Sequence, residues 1–108
     1  MDINYVSSSY SDAVTVAGVE LLSGPGSLCG FLANPRTFGT DAVLTITDGS
    51  GGSTLLTVNL GQLSNSPNVS RGNMFMRFPG NGIRFDSSLW ATSPNGDGKV
   101  NSITVFHT

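Results

Sequence analysis

Few side chains in this sequence could carry out chemistry. Its 108 residues include one histidine, His107, and one cysteine, Cys29. A Ser–His–acid site needs an imidazole beside a nucleophile, and a zinc site needs three or four ligands, mostly His and Cys. We interpret His107 as an exposed polar residue at the end of a strand, and Cys29, which lies beside Phe31, as a buried and inert thiol. The sequence therefore predicts no nucleophilic site, no metal site and no cofactor.

Carboxylates offer one further catalytic route. Asp86 and Asp97 are separated by a turn and could approach each other as a glycosidase-type pair. Asp48 and Asp97, however, are each followed by glycine, which favours a turn in which the side chain bonds to the backbone. The prediction is a protein that is not an enzyme, with a small hydrolase as an alternative hypothesis.

The charge content also excludes several partners. Charged residues make up 11% of the chain against about 25% in an average protein, and the net charge is -2. The basic residues are dispersed and leave no electrostatic footprint for nucleic acid. No apolar stretch approaches the roughly 20 residues of a membrane span, and residues 1–5 carry an acid where a signal peptide carries basic residues. We predict synthesis in a cytoplasm, with no nucleic-acid or membrane partner.

Alternation of apolar and polar residues predicts an all-β domain. In residues 42–48, Leu44 and Ile46 face one way and the intervening threonines face the other. A glycine-rich hairpin at 48–52 joins this strand to a second alternating strand at 56–60. The remaining strands are expected at 13–22, 28–33, 74–78, 83–85, 89–91 and 103–106. About eight short strands in residues 12–108 predict a single β-sandwich or jelly-roll domain with little or no helix.

Residues 1–11 form a serine-rich segment ahead of this domain. Tyr5 and Tyr10 lie among its polar residues. Aromatic anchors of this kind offset the ordering entropy of a segment that folds on binding. We predict an N-terminal arm that becomes ordered only against a partner.

Three large aromatic residues alternate with the core residues of their strands. These are Phe75, Trp90 and Phe106. Because successive side chains point to opposite faces of a sheet, this opposite parity places them on the outer face. Outward-facing aromatics form either a second part of the core or a contact surface, and carbohydrate-binding proteins use them as well. The residues predicted to bind a partner are Tyr5, Tyr10, Phe75, Trp90 and Phe106.

From about Gly18 onward the chain resembles small accessory proteins of tailed-phage virions. The motifs that carry the resemblance are, in order, Gly18-Val19-Glu20-Leu21-Leu22, Leu28-Cys29-Gly30-Phe31, Asp48-Gly49, Leu55-Leu56-Thr57-Val58, Gly82-Ile83-Arg84-Phe85, Leu89-Trp90 and Ile103-Thr104-Val105-Phe106. Proteins of this kind are β-sandwiches that decorate capsids or build neck, tail and fibre parts, often as trimers. The resemblance carries no catalytic residues.

The resemblance implies a structural protein of the virion. We expect a capsid decoration, or cement, protein that binds across subunits of the major capsid protein and forms a homo-oligomer, with a trimer favoured. A tail or head-fibre module is the first alternative. A carbohydrate-binding module that uses Phe75 and Trp90 as stacking platforms is the second.

Overall fold

Antiparallel strands form almost all of the described structure. The computed structural model describes residues 7–11, 14–35, 42–60, 74–96 and 99–108. Its strands are β1 (Ser7–Ser11), β2 (Val19–Ser23), β3 (Gly26–Pro35), β4 (Val43–Asp48), β5 (Ser53–Asn59), β6 (Met74–Arg77), β7 (Ile83–Phe85), β8 (Ser88–Thr92) and β9 (Val100–His107). Sheet A has the order β1-β9-β3-β6, with β7 also paired to β3, and sheet B has the order β2-β8-β4-β5. The all-β prediction is confirmed.

One hydrophobic core lies between the two sheets. In sheet B, Leu44 and Ile46 of β4 are fully buried, as their alternation predicts. In sheet A, Phe31 of β3 pairs with Val105 of β9, and both are buried. Burying side chains of this size is worth roughly 1.5–3 kcal/mol each, so the facing apolar rows hold the sandwich closed.

The segment predicted as an arm is a strand over its described half. Residues Ser7–Ser11 form β1 and pair along their whole length with β9. The expectation of order only against a partner is therefore wrong for these residues, because the backbone of β9 already supplies their hydrogen bonds. Residues 1–6, which include Tyr5, lie outside the described residues.

The chain changes sheets at a bend before β2. Val14 bridges Val100 of sheet A, whereas β2 joins sheet B. The backbone N–H of Gly18 donates to the carbonyl of Thr15, and Gly18 has a φ of 94°, which favours glycine. The strand predicted over residues 13–22 therefore begins only after this bend, at Val19.

The outer edge of sheet A is interrupted by a bulge. β6 and β7 both run antiparallel to β3 on the side away from β9, and residues 78–82 leave the sheet between them. At the start of this edge bulge, the N–H of Phe78 donates to the carbonyl of Cys29 at 2.9 Å. Near its end, Gly82 has a φ of 77° and lies against the carbonyl of Leu28. A bulge of this kind turns neighbouring side chains out of the plain sheet pattern.

Asp48 ties the β4–β5 hairpin to the β7–β8 connection. Its carboxylate accepts the backbone N–H groups of Asp86, Ser87 and Ser88 at 2.9, 2.8 and 3.4 Å. These hydrogen bonds, led by those from Asp86 and Ser87, hold the pKa of Asp48 below its usual 3.8. The predicted bond to backbone is confirmed, although the backbone belongs to another turn.

Asp48→Asn is expected to lower the melting temperature at pH 7, because an amide offers these N–H groups one uncharged oxygen acceptor in place of a carboxylate. In the native protein, the Asp48 carboxylate contributes fully to stability above pH 3.8. This contribution is lost as the pH falls through the lower pKa that Asp48 has in the folded state. Thermal unfolding of Asp86→Asn is the control, since the side chain of Asp86 makes an exposed ion pair with Arg84 and its backbone N–H is unchanged by the substitution. An equal loss in both variants would contradict this assignment.

Candidate functional site

His107 is buried, so the prediction that it is exposed is wrong. Its side chain is 4% exposed, and its Nε2 lies 2.8 Å from the hydroxyl of Ser9 in β1. Burial lowers the pKa of His107, and the backbone of Thr108 opposes this in part. Among the described residues, no group makes a hydrogen bond of good geometry to Nδ1. His107 has the same strand parity as the buried Ile103 and Val105, so it faces the core.

Cys29 is half-buried and faces outward, contrary to the prediction of a buried thiol. The register of β3 against β9 shifts between Leu28 and Gly30, so Cys29 falls in a β-bulge. Its Sγ lies 3.8 Å from the carbonyl of Ser27. The single thiol of the chain is therefore accessible from the outer face of sheet A.

The described residues bring together no catalytic or metal-binding cluster. Asp86 Oδ1 accepts from Arg84 Nε at 3.1 Å at an exposed position, and its suggested partner Asp97 lies outside the described residues. In the described parts of the chain, no three His, Cys, Asp or Glu side chains come close enough to share a metal ion. None of the described segments is a helix of the length and apolarity that a membrane crossing requires.

The aromatic residues predicted to bind a partner lie on two opposite faces. Tyr10, Phe75 and Phe106 lie on the outer face of sheet A, where Tyr10 and Phe75 are each 60% exposed. Trp90 lies on the outer face of sheet B, opposite Thr47 of β4. Their outward orientation agrees with the predicted parity, but Trp90 is separated from the others by the full thickness of the sandwich.

Side chains on the outer face of sheet A form a largely apolar row, in which Thr104 is the one polar member. Cross-strand pairing aligns Tyr10 with Thr104, Thr104 with Leu32, and Leu32 with Phe75. With strands about 4.8 Å apart, this row spans roughly 14 Å across four strands. Phe106 lies in the adjacent row, and we refer to Tyr10, Leu32, Phe75 and Phe106 as the aromatic face.

Phe75 and Phe106 meet across β3. Their ring centroids are 6.0 Å apart and the rings are inclined by 67°, an edge-to-face arrangement. The rings can approach because Phe106 is paired with Gly30, which has no side chain between them. A Cβ at Gly30 would also lie 2.6 Å from the carbonyl oxygen of Met76, so the glycine permits β6 to pack closely.

A groove of about 850 Å³ continues the aromatic face toward one end of sheet A. Its floor is formed by β3 at Cys29 and Gly30, and one wall is the edge bulge. The side chains that matter for recognition are Phe75, Arg77, Asn81, Arg84 and Phe106. No Asp or Glu of the described residues lines this groove, so it combines aromatic surface with positive charge.

Trp90 has a structural environment of its own. Gly18 lies beneath its ring, and a Cβ at Gly18 would be 3.3 Å from Trp90 Cε3. The neighbouring outward positions of sheet B are Thr45, Thr47, Thr57 and Thr92. This face is polar, and Trp90 is half-buried on it.

Sequence reasoning missed Leu32, Arg77 and Arg84 as members of the site. Their signal was present, because both arginines alternate with apolar residues on either side of the Pro79–Gly82 turn. What the sequence does not reveal is that these two short strands lie along the same edge of β3.

No protein-family model, curated protein or solved structure matches this chain.

Proposed function

We propose that the protein is a non-enzymatic structural module that docks onto another protein through its aromatic face. The observation that carries this proposal is the aromatic face on the outside of sheet A, in which Tyr10 and Phe75 are each 60% exposed. Contiguous apolar surface on a soluble domain marks a site of interaction. Aromatic side chains are also the residues that contribute most to protein–protein binding.

The setting we propose is the virion of a tailed phage, as the sequence resemblance implies. The protein would be a capsid decoration protein that attaches to the major capsid protein, and a tail or head-fibre module is the alternative within this class. A ligand that binds the assembled shell and not the free subunits stabilises the shell by mass action. A docking surface held on four paired strands suits this role, because little conformational entropy is lost when it binds.

The geometry favours a protein partner over a sugar. The two side chains considered as stacking platforms, Phe75 and Trp90, lie on opposite faces of the sandwich. Phe75 instead meets Phe106 edge to face, which presents a ridge and a hollow in place of a flat platform. Such a surface accommodates side chains of a partner protein.

We also propose that the protein forms a homotrimer. Support comes from the 11% share of charged residues and from the resemblance to virion accessory proteins. A neutral surface tends to be covered, and closed symmetry covers it. Sedimentation equilibrium is expected to give three times the monomer mass, and a strict monomer at high concentration would contradict the proposal.

Phe75→Ser is expected to weaken binding to assembled shells about tenfold or more, because it removes an exposed aromatic anchor. Co-sedimentation with shells and with unassembled capsid subunits, from the phage that encodes the chain, measures this directly. Thr57→Ala, on the outer face of sheet B, is the matched control and should bind as the native protein does. The proposal fails if the native protein does not bind shells, or if Phe75→Ser binds them equally well.

A further inference from the structure

We propose that the groove beside the aromatic face binds an extended, carboxylate-bearing segment of the partner protein. This inference rests on the proposed docking role and names the chemistry of the partner. Its basis is the juxtaposition of Arg77 and Arg84 with the aromatic pair Phe75 and Phe106 along one edge of sheet A.

Both arginines have guanidinium N–H donors that no carboxylate of the described residues accepts. Arg77 is exposed, and no carboxylate of the described residues lies within ion-pair distance of it. Arg84 contacts Asp86 through Nε alone, at 3.1 Å, which leaves its two terminal nitrogens without a described carboxylate. The planar guanidinium group binds carboxylates through paired hydrogen bonds, so each arginine can receive an acidic side chain.

The groove is positive in a chain that is negative overall. The net charge is -2, yet two of the five basic residues line the groove. The described acidic residues are engaged or placed elsewhere: Asp48 accepts backbone N–H groups, Asp86 pairs with Arg84, and Glu20 lies beside Trp90 on sheet B. The charged side chains that line the groove, Arg77 and Arg84, therefore favour an acidic ligand.

The shape of the groove indicates an elongated ligand. A shallow surface depression of about 370 Å³ shares Ser27, Arg84 and Thr108 with the groove and continues it to Pro25. The combined path follows β3 from Gly30 to Gly26, a distance of roughly 13 Å at about 3.3 Å per residue. An extended segment of about four residues fits this length.

A polypeptide fits the chemistry better than an acidic polysaccharide does. The edge-to-face pair of Phe75 and Phe106 leaves a hollow for an apolar side chain, whereas sugar rings stack on a flat aromatic face. The arginines follow this hollow along the same edge. The expected segment therefore carries an apolar side chain near Phe75 and carboxylates near Arg77 and Arg84.

Arg77→Glu is expected to lower the affinity for assembled shells at least about tenfold, and to reduce the salt dependence of binding that the native protein shows. Lys99→Glu is the matched control, because it makes the same change in charge away from the groove. If the native protein binds shells and Arg77→Glu binds equally tightly, this inference is overturned while the docking role survives.

Titration of the ¹⁵N-labelled protein with poly-L-glutamate tests the groove without the shell. We expect amide shifts at Arg77, Asn81 and Gly82 that are lost in Arg77→Glu, and these would support the inference even if shell binding failed. Polygalacturonate is the second probe. Absence of groove shifts with poly-L-glutamate, or shifts with polygalacturonate alone, would overturn the inference.

Discussion

Gly82→Ala is expected to lower the free energy of unfolding by about 2–4 kcal/mol and to disrupt the groove. Gly82 has a φ of 77°, a conformation that costs an L-residue roughly 1–2 kcal/mol. A Cβ there would also overlap the carbonyl oxygen of Leu28 on the adjacent strand. The edge bulge would have to move away from β3, and the wall of the groove would move with it.

Gly80→Ala provides the control for this prediction within the same bulge. Gly80 also has a positive φ, 67°, but a Cβ there would meet no atom within 4 Å. Only the backbone cost remains, and we expect a loss of about 1 kcal/mol. Urea unfolding of both variants gives the comparison, and equal losses would show that the packing against β3 has been misassigned.

Acidification is expected to destabilise the fold through His107. The unfolded chain takes up a proton near pH 6.5, whereas burial lowers the pKa of His107 in the folded protein. The free energy of unfolding therefore has its full value above pH 6.5. It falls as the pH drops from 6.5 through the lower pKa that His107 has in the folded state. The slope can approach about 1.4 kcal/mol per pH unit, the limit for one proton.

The strands beside His107 do not offer a compensating charge. Ser7 of β1 and Leu28 of β3 are paired with it. His107→Gln stays neutral and can still bond to Ser9, so its free energy of unfolding is expected to lose this pH dependence between pH 6.5 and 5. Urea unfolding across this range measures the effect, and an unchanged pH profile in the variant would exclude His107 as its source.

The sheets were predictable where apolar and polar residues alternate. The alternation at Leu44 and Ile46 predicts both the strand and the face that is buried. The parity of Phe75 and Phe106 predicts that their side chains point outward. β1 was not predictable in this way, because four of its five residues are serine and carry no apolar alternation. Its pairing with β9 is a long-range event, and the contact between Ser9 and His107 depends on it.

The site was predictable in part for the same reason. Parity places a side chain on a face, but it does not tell which strands become neighbours. Phe75 and Phe106 meet because β6 and β9 flank β3 at Gly30, and Trp90 is excluded because β8 belongs to the other sheet. The groove itself arises from the edge bulge, and the position of this bulge against β3 does not follow from the sequence pattern.

Alkylation of Cys29 tests the central claim, that the outer face of sheet A is the docking surface. This thiol lies in the floor of the groove and is the only one in the chain. Thr57→Cys in a Cys29→Ser background reports on the opposite face. We predict that shell binding slows alkylation of Cys29 at least about tenfold and leaves the thiol at position 57 as reactive as in the free protein. Protection of position 57 with no change at Cys29 would contradict the claim.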